Sequence, residues 1–144
     1  MQKSDLADVV NIEREANQFP WSRKNFEDSL KANHMAWVFL DDINAIVGFT
    51  IIQKVVDEVH ILNICIKPGV QGQGHGRDVL NYIIDYAKTI SSAIIVLEVR
   101  SSNKRAQYLY LGAGFNEMSV RKNYYPAAEG RENALLMGMD LSFL

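Results

Sequence analysis

The strongest chemical signal in the sequence is one run, Gln71-Gly72-Gln73-Gly74-His75-Gly76-Arg77. Alternate glycines let the backbone curl until successive N–H groups converge, and the start of a following helix adds its positive end. Such a loop suits a pyrophosphate. Two acid–base candidates lie further along. Glu98 falls near the end of an apolar segment, where an open α/β sheet places its site, or else it is a surface carboxylate beyond the strand. Asn103 and Tyr110 are spaced by nearly two helical turns, about 10 Å of rise, so both can face one ligand. On the residues alone, Asn103 reads equally as a helix N-cap and Tyr110 as a core residue. Tyr108 is a competing phenol on nearly the opposite side of the same helix.

Elements must hold these residues in place. Ser4 can cap a first helix, with Leu6, Val9 and Val10 at helical spacing and Asp5 and Asp8 near its positive end. Phe19-Pro20-Trp21 breaks that helix, and Ser22 caps a second whose apolar points are Phe26 and Leu30. Met35 to Leu40, Ala45 to Val56 and Val59 to Ile66 are apolar or β-branched. They are joined by turn chemistry at Asp41 to Asn44 and Asp57-Glu58, and they read as an antiparallel meander. After the glycine loop, Val79, Leu80, Ile83, Ile84 and Ala87 form the stripe of an amphipathic helix. Ala93 to Val99 reads as a buried central strand, and Asn103 to Leu111 as a helix ended by Gly112 and Gly114. Phe115 to Val120 and Ala134 to Leu141 read as closing strands, with a loop at Asn123 to Arg131 between them. The order ααβββαβαββ predicts an α/β (α+β) domain with a mixed sheet.

Composition narrows the function classes. With 144 residues, 48% hydrophobic and 22% charged, one domain with a single core is expected. Fifteen Lys+Arg against seventeen Asp+Glu give a net charge of −2, which argues against direct nucleic-acid binding and suits a cationic partner better. Cys65 is the single cysteine, and His34 and His60 stand alone, so no metal site is expected. No apolar run approaches the roughly 20 residues of a membrane helix. Met1 to Asp8 has no apolar block of the signal-peptide kind. A cytoplasmic monomer without membrane contact is expected.

The loop lacks the lysine of a Walker motif and the Gly-x-Gly-x-x-Gly spacing of a dinucleotide fold. Gln71-x-x-Gly74-x-Gly76 instead resembles the pyrophosphate-binding motif of the Gcn5-related N-acetyltransferases (GNAT), which bind acetyl-coenzyme A. The resemblance covers nearly the whole chain. It implies a mixed, mostly antiparallel central sheet with splayed fourth and fifth strands, flanked by helices. Further segments narrow it: Asn63-Ile64-Cys65-Ile66, Leu97-Glu98-Val99-Arg100-x-x-Asn103, Tyr110-x-x-x-Gly114-Phe115 and Asn123-Tyr124-Tyr125-Pro126. With Phe19-Pro20-Trp21-Ser22, they resemble the bacterial ribosomal-protein alanine N-acetyltransferases of the RimI type. That family begins with a short edge strand. Here only Met1 to Lys3 precede Ser4, so the strand is expected to be very short or missing.

The resemblance implies roles. Gln71, Gly72, Gln73, Gly74, His75, Gly76 and Arg77 would hold the pyrophosphate of acetyl-CoA. The backbone of Ile64, Cys65 and Ile66 would pair with its pantetheine arm, and Asn103 would also touch it. His75, between two glycines, reads as solvent-facing and not as a base. Glu98 is assigned the base, and Tyr110 the acid that protonates the leaving sulfur. An amine must be neutral to attack a thioester, and an α-amino group has a pKa of roughly 7.7–8.0, so a nearby base is useful. Tyr124 and Tyr125 would line the acceptor, with Glu15 and the Phe19 to Ser22 segment, Trp21 included, on the opposite wall. Cys65 is not expected to be a nucleophile, since Ile64 and Ile66 offer no charge to activate its thiol. The implied acceptor is the N-terminal alanine of small-subunit ribosomal protein eighteen, a basic protein N-terminus. Two rivals keep the fold: an enzyme acting on a lysine or small-molecule amine, and a non-catalytic CoA-binding module. Retention of both Glu98 and Tyr110 argues against the second.

Overall fold

The computed structural model describes residues 1–142. A 3-10 turn at Lys3–Asp5 leads into α1 (Leu6–Ala16) and α2 (Arg23–Lys31). Three strands follow, β1 (Met35–Leu40), β2 (Ile46–Val55) and β3 (Glu58–Ile66). Then come α3 (His75–Thr89), β4 (Ile94–Arg100), α4 (Lys104–Ala113), β5 (Asn116–Pro126) and β6 (Arg131–Asp140). The order is the one expected. The strands form a six-stranded sheet in the order β1-β2-β3-β4-β6-β5. β1–β2, β4–β6 and β5–β6 pair antiparallel and β3–β4 pairs parallel. A parallel pair needs a crossover, which α3 supplies. The β3–β4 ladder runs from Glu58↔Ile94 to Ile61↔Leu97, while β3 continues to Ile66 and β4 to Arg100. Residues 1–2 lie outside any strand.

The chain forms two compact units. The first holds Met1–Gln53 and Leu62–Val79. In its core Leu6, Val9, Val10 and Ile12 of α1 pack with Phe26, Phe49, Ile51 and Cys65. Phe26 meets Phe49 edge to face at 5.5 Å, and Trp21 stands 5.2 Å from Phe26. Gly48 lets β2 lie tight against β3, since a Cβ there would stand 2.8 Å from the Cys65 carbonyl oxygen. α2 starts as expected: Asn25 N donates to Ser22 Oγ at 3.1 Å, and Ser22 N donates to Asn25 Oδ1 at 2.9 Å. Such a cap contributes about 1 kcal/mol. Ser4, by contrast, does not cap α1. It sits inside the 3-10 turn, where Gln2 N donates to Asp5 Oδ2 at 2.7 Å. A carboxylate is a stronger acceptor than a hydroxyl, so the turn forms around Asp5 and α1 begins behind it.

The second unit holds Lys54–Ile61 and the chain from Leu80 onward. Its fully buried side chains include Leu80, Ile83 and Ala87 of α3, and Ile95 of β4. α4 ends at Gly114, whose φ of 108° costs a glycine little. The closing hairpin differs from the sequence expectation. β5 reaches Pro126 and β6 begins at Arg131, so the expected loop at Asn123 to Arg131 is mostly strand. Tyr124 and Tyr125 therefore lie on β5. An irregularity in register between Arg121 and Tyr125 takes up the extra chain, with Asn123 at φ 53°, a conformation asparagine tolerates. Arg131 pins this segment by donating from Nε to the Asn123 carbonyl at 2.8 Å and from Nη2 to the Tyr124 carbonyl at 2.7 Å.

Candidate active site

β3 delivers the chain to the glycine loop. Cys65 is buried within it, and Ile64 and Ile66 are half-buried. Burial, helped by the charge of Glu13, pushes the Cys65 thiol up to about 12, so it stays protonated and inert. Lys67 N donates to the Val47 carbonyl at 2.8 Å, and Gln71 Nε2 to the Ile66 carbonyl at 3.0 Å. The Gln71 side chain thus ties the loop to the strand end. Gly72 and Gly74 hold φ of 78° and 88°, and a Cβ at Gly74 would meet no atom within 4 Å. Gln73 is exposed. His75 is half-buried as the first residue of α3, not fully solvent-facing as expected. Asp78 N bonds the Gly74 carbonyl at 3.1 Å. Helix geometry therefore puts the N–H groups of His75 and Gly76 at the open end of α3. Converging donors, a positive helix end and open space at Gly74 fit a pyrophosphate.

In the second unit, strand register gathers a polar cluster. Glu98 lies opposite Leu136, Arg100 and Arg121 opposite Ala134 from its two sides, and Tyr125 opposite Glu132. Strand alternation puts Glu98, Arg100, Arg121, Tyr125 and Glu132 on one face. Glu98 Oε1 lies 3.5 Å from Arg121 Nε, while Oε2 is buried without a hydrogen-bond partner. The Arg121 guanidinium stands 5.1 Å over the Tyr124 ring and that of Arg100 4.4 Å over the Tyr125 ring. The two rings meet edge to face at 4.9 Å. Arg100 Nη1 also donates to the Pro126 carbonyl at 2.6 Å and lies 3.7 Å from Glu132. Hydrogen bonding from Ser102, with Arg100 assisting, holds the Glu132 carboxyl below its ordinary value. Burial, with the charge of Glu98 and the neighbouring Tyr124, pushes the Tyr125 phenol up to about 12 against the two arginines.

Asn103 is the N-cap of α4, its Oδ1 accepting from Ala106 N at 3.2 Å. Tyr110, in the last turn, is buried with its ring 6.0 Å from that of Phe115. Tyr108 is 73% exposed on the other side of the helix. The structure thus gathers Glu98, Tyr124 and Tyr125, and sets Asn103 and Tyr110 at the two ends of α4.

Trp21 is half-buried against Phe26, and its backbone N–H donates to Glu13 Oε2 at 3.2 Å. Glu13, not Glu15, is the carboxylate tied to this segment. It is 2% exposed and also accepts from Asn63 Nδ2 at 2.8 Å and from Asn17 Nδ2. Glu15 is exposed. Glu13 stands on the apolar stripe of α1 after Val9 and Val10, a pattern that marks a buried carboxylate in need of donors. Arg121 carries no comparable sequence signal; its role follows from the β4–β6–β5 register.

Residues 6–115 match the family described as the acetyltransferase (GNAT) family. The chain is similar to the ribosomal protein bS18 alanine N-acetyltransferase of Escherichia coli strain K12, at 37% identity over 142 residues, 99% of this chain and 95% of that protein. It is similar also to the protein of the same name from Haemophilus influenzae, 38% identical over 138 residues, 95% of this chain and 93% of that one. Its fold matches the crystal structure of the Escherichia coli ribosomal-protein-S18-alanine N-acetyltransferase with a TM-score of 0.91 at 37% identity, covering 99% of this chain and 91% of that one. With the glycine loop and the mixed sheet already described, these likenesses make the chain an acetyl-CoA-dependent N-acetyltransferase that belongs to the GNAT family.

Proposed function

We propose that residues 1–144 form one N-acetyltransferase domain that acetylates the N-terminal α-amine of an alanine-initiated basic protein, ribosomal protein bS18. The relatives named for that reaction support the acceptor. One geometric observation supports the chemistry: the buried Glu98 Oε2 has no partner, on a face lined by Tyr125. A carboxylate oxygen so placed suits a proton acceptor.

Acetyl-CoA supplies an acetyl group on a thioester with a thiolate as leaving group. The glycine loop and the start of α3 hold its pyrophosphate through backbone N–H groups. The backbone of Ile64 to Ile66 pairs with its pantetheine arm, and an N–H near Cys65 donates to the acyl oxygen as charge develops there. Asn103 reaches it with the amide nitrogen that its cap leaves over. Glu98 takes the proton of the acceptor ammonium, directly or through a water, so that neutral nitrogen attacks; the second nitrogen proton leaves to solvent as the amide forms and the carbon–sulfur bond breaks. Tyr110 gives its phenolic proton to the departing sulfur. Trp21, Tyr124 and Tyr125 wall the acceptor, and the peptide follows as a basic segment.

A panel of short basic peptides that differ only in their first residue, assayed by release of free thiol from acetyl-CoA, tests the acceptor assignment. Alanine-initiated peptides should turn over fastest. A panel with no dependence on the first residue would overturn the assignment.

A further inference from the structure

The two oxygens of Glu98 stand in unlike surroundings. Oε1 faces the Arg121 guanidinium at 3.5 Å, while Oε2 is buried and unpartnered. Arg121 is itself held. Its guanidinium lies 5.1 Å over Tyr124, and the Tyr124 carbonyl accepts from Arg131 Nη2 at 2.7 Å. The other arginine of this face, Arg100, is engaged with the Pro126 carbonyl, Glu132 and the Tyr125 ring. We propose that Arg121 is a positioning residue for the transfer: it anchors Glu98 by Oε1, so that Oε2 is the atom that takes the acceptor's proton. This rests on Glu98 being the base.

The charged and titratable groups on the same face belong to each strand of this unit. They are Arg100 on β4, Arg121 and Tyr125 on β5, Glu132 and Asp140 on β6, and the Glu58–His60 pair on β3, held together at 2.7 Å and placed on that face by the pairing of His60 with Val96. Tyr124 adds its ring under Arg121. Arg121 Nε stands 3.5 Å from Glu98 Oε1, so its removal should be felt there. A planar guanidinium fixes a carboxylate's orientation, whereas lysine supplies only a point charge.

The test reads kcat and KM separately on the full chain with an alanine-initiated basic peptide. Arg121→Gln frees Oε1, so it should lower kcat about tenfold and leave KM for acetyl-CoA unchanged. Arg121→Lys keeps the charge without the planar fork, so it should recover only part of the rate, and it keeps the test usable if the glutamine variant fails to fold. In the Glu98→Gln background, Arg121→Gln should cost nothing further. An unaltered kcat in Arg121→Gln overturns the proposal, and so does an additive loss in the double variant. Full activity in Glu98→Gln alone overturns the reading of Glu98 as base instead.

Discussion

Glu98 has one oxygen against Arg121 and one buried without a partner, and the proposed chemistry depends on that asymmetry. Glu98→Gln keeps the shape and removes the base, so turnover must wait for amine that solvent has already deprotonated. The rate at neutral pH should fall by about 10²–10⁴-fold, and raising the pH through the amine's own pKa should recover part of it. A pH–rate profile that stays parallel to wild type would contradict the assignment. Tyr110→Phe removes the proton for the leaving sulfur, a defect alkaline pH cannot repair, so its profile should stay low while Tyr108→Phe, exposed on the far side of α4, behaves as wild type. The reverse result would mean the wrong phenol was chosen. On the residues alone Glu98 reads equally as a site carboxylate or a surface one, because position at the end of an apolar run does not separate the two; the resemblance is what assigns it the base. Arg121 carries no signal, because it meets Glu98 only through the pairing of β4 and β5 with β6. Spacing alone does not say that Glu13, and not its exposed neighbour Glu15, is the carboxylate that finds donors.

The glycine loop works as a unit with β3 before it and α3 behind it. Gly74 holds φ 88° with nothing within 4 Å of a would-be Cβ. Gly74→Val would both strain that backbone and fill the space above the first turn of α3. Coenzyme A affinity should drop at least about tenfold by calorimetry, with the helical circular dichroism retained. Unchanged affinity would remove the loop from the cofactor site. The order of α1 to α4 and β1 to β6 could be read from the sequence, because β-branched runs, helical stripes and glycine stops agree with one another. Two boundaries could not. Asn123 suggests a turn, yet it occupies a strand irregularity, and the neighbouring tyrosines with Arg131 carry β5 on to Pro126. Ser4 has the right type for a cap, but it lies inside the 3-10 turn at Lys3–Asp5, and α1 starts after Asp5 with no side-chain cap.

At the scale of the whole molecule, no helix among the described residues is long and apolar enough to cross a membrane. The net charge of −2 suits a basic acceptor. Stability should fall at alkaline pH for a stated reason. The Cys65 thiol ionises near 9.0 when exposed but only near about 12 in the native fold. Between those values the unfolded chain gives up a proton that the folded chain retains, so stability present below the lower value is lost progressively toward the higher. The urea midpoint should therefore drop between neutral pH and about pH 10.5, and Cys65→Val should lessen the drop. An equal drop in the variant would assign the loss to other groups, Tyr125 first among them. The central claim is that the acetyl group goes to an α-amine, and mass spectrometry on two peptides tests it most directly. One has a free N-terminal alanine and no lysine; the other has a capped N-terminus and a free lysine. With acetyl-CoA and the enzyme, the first should gain one acetyl group and the second none. Acetylation of the capped peptide's lysine, with the free alanine left unmodified, would contradict the account.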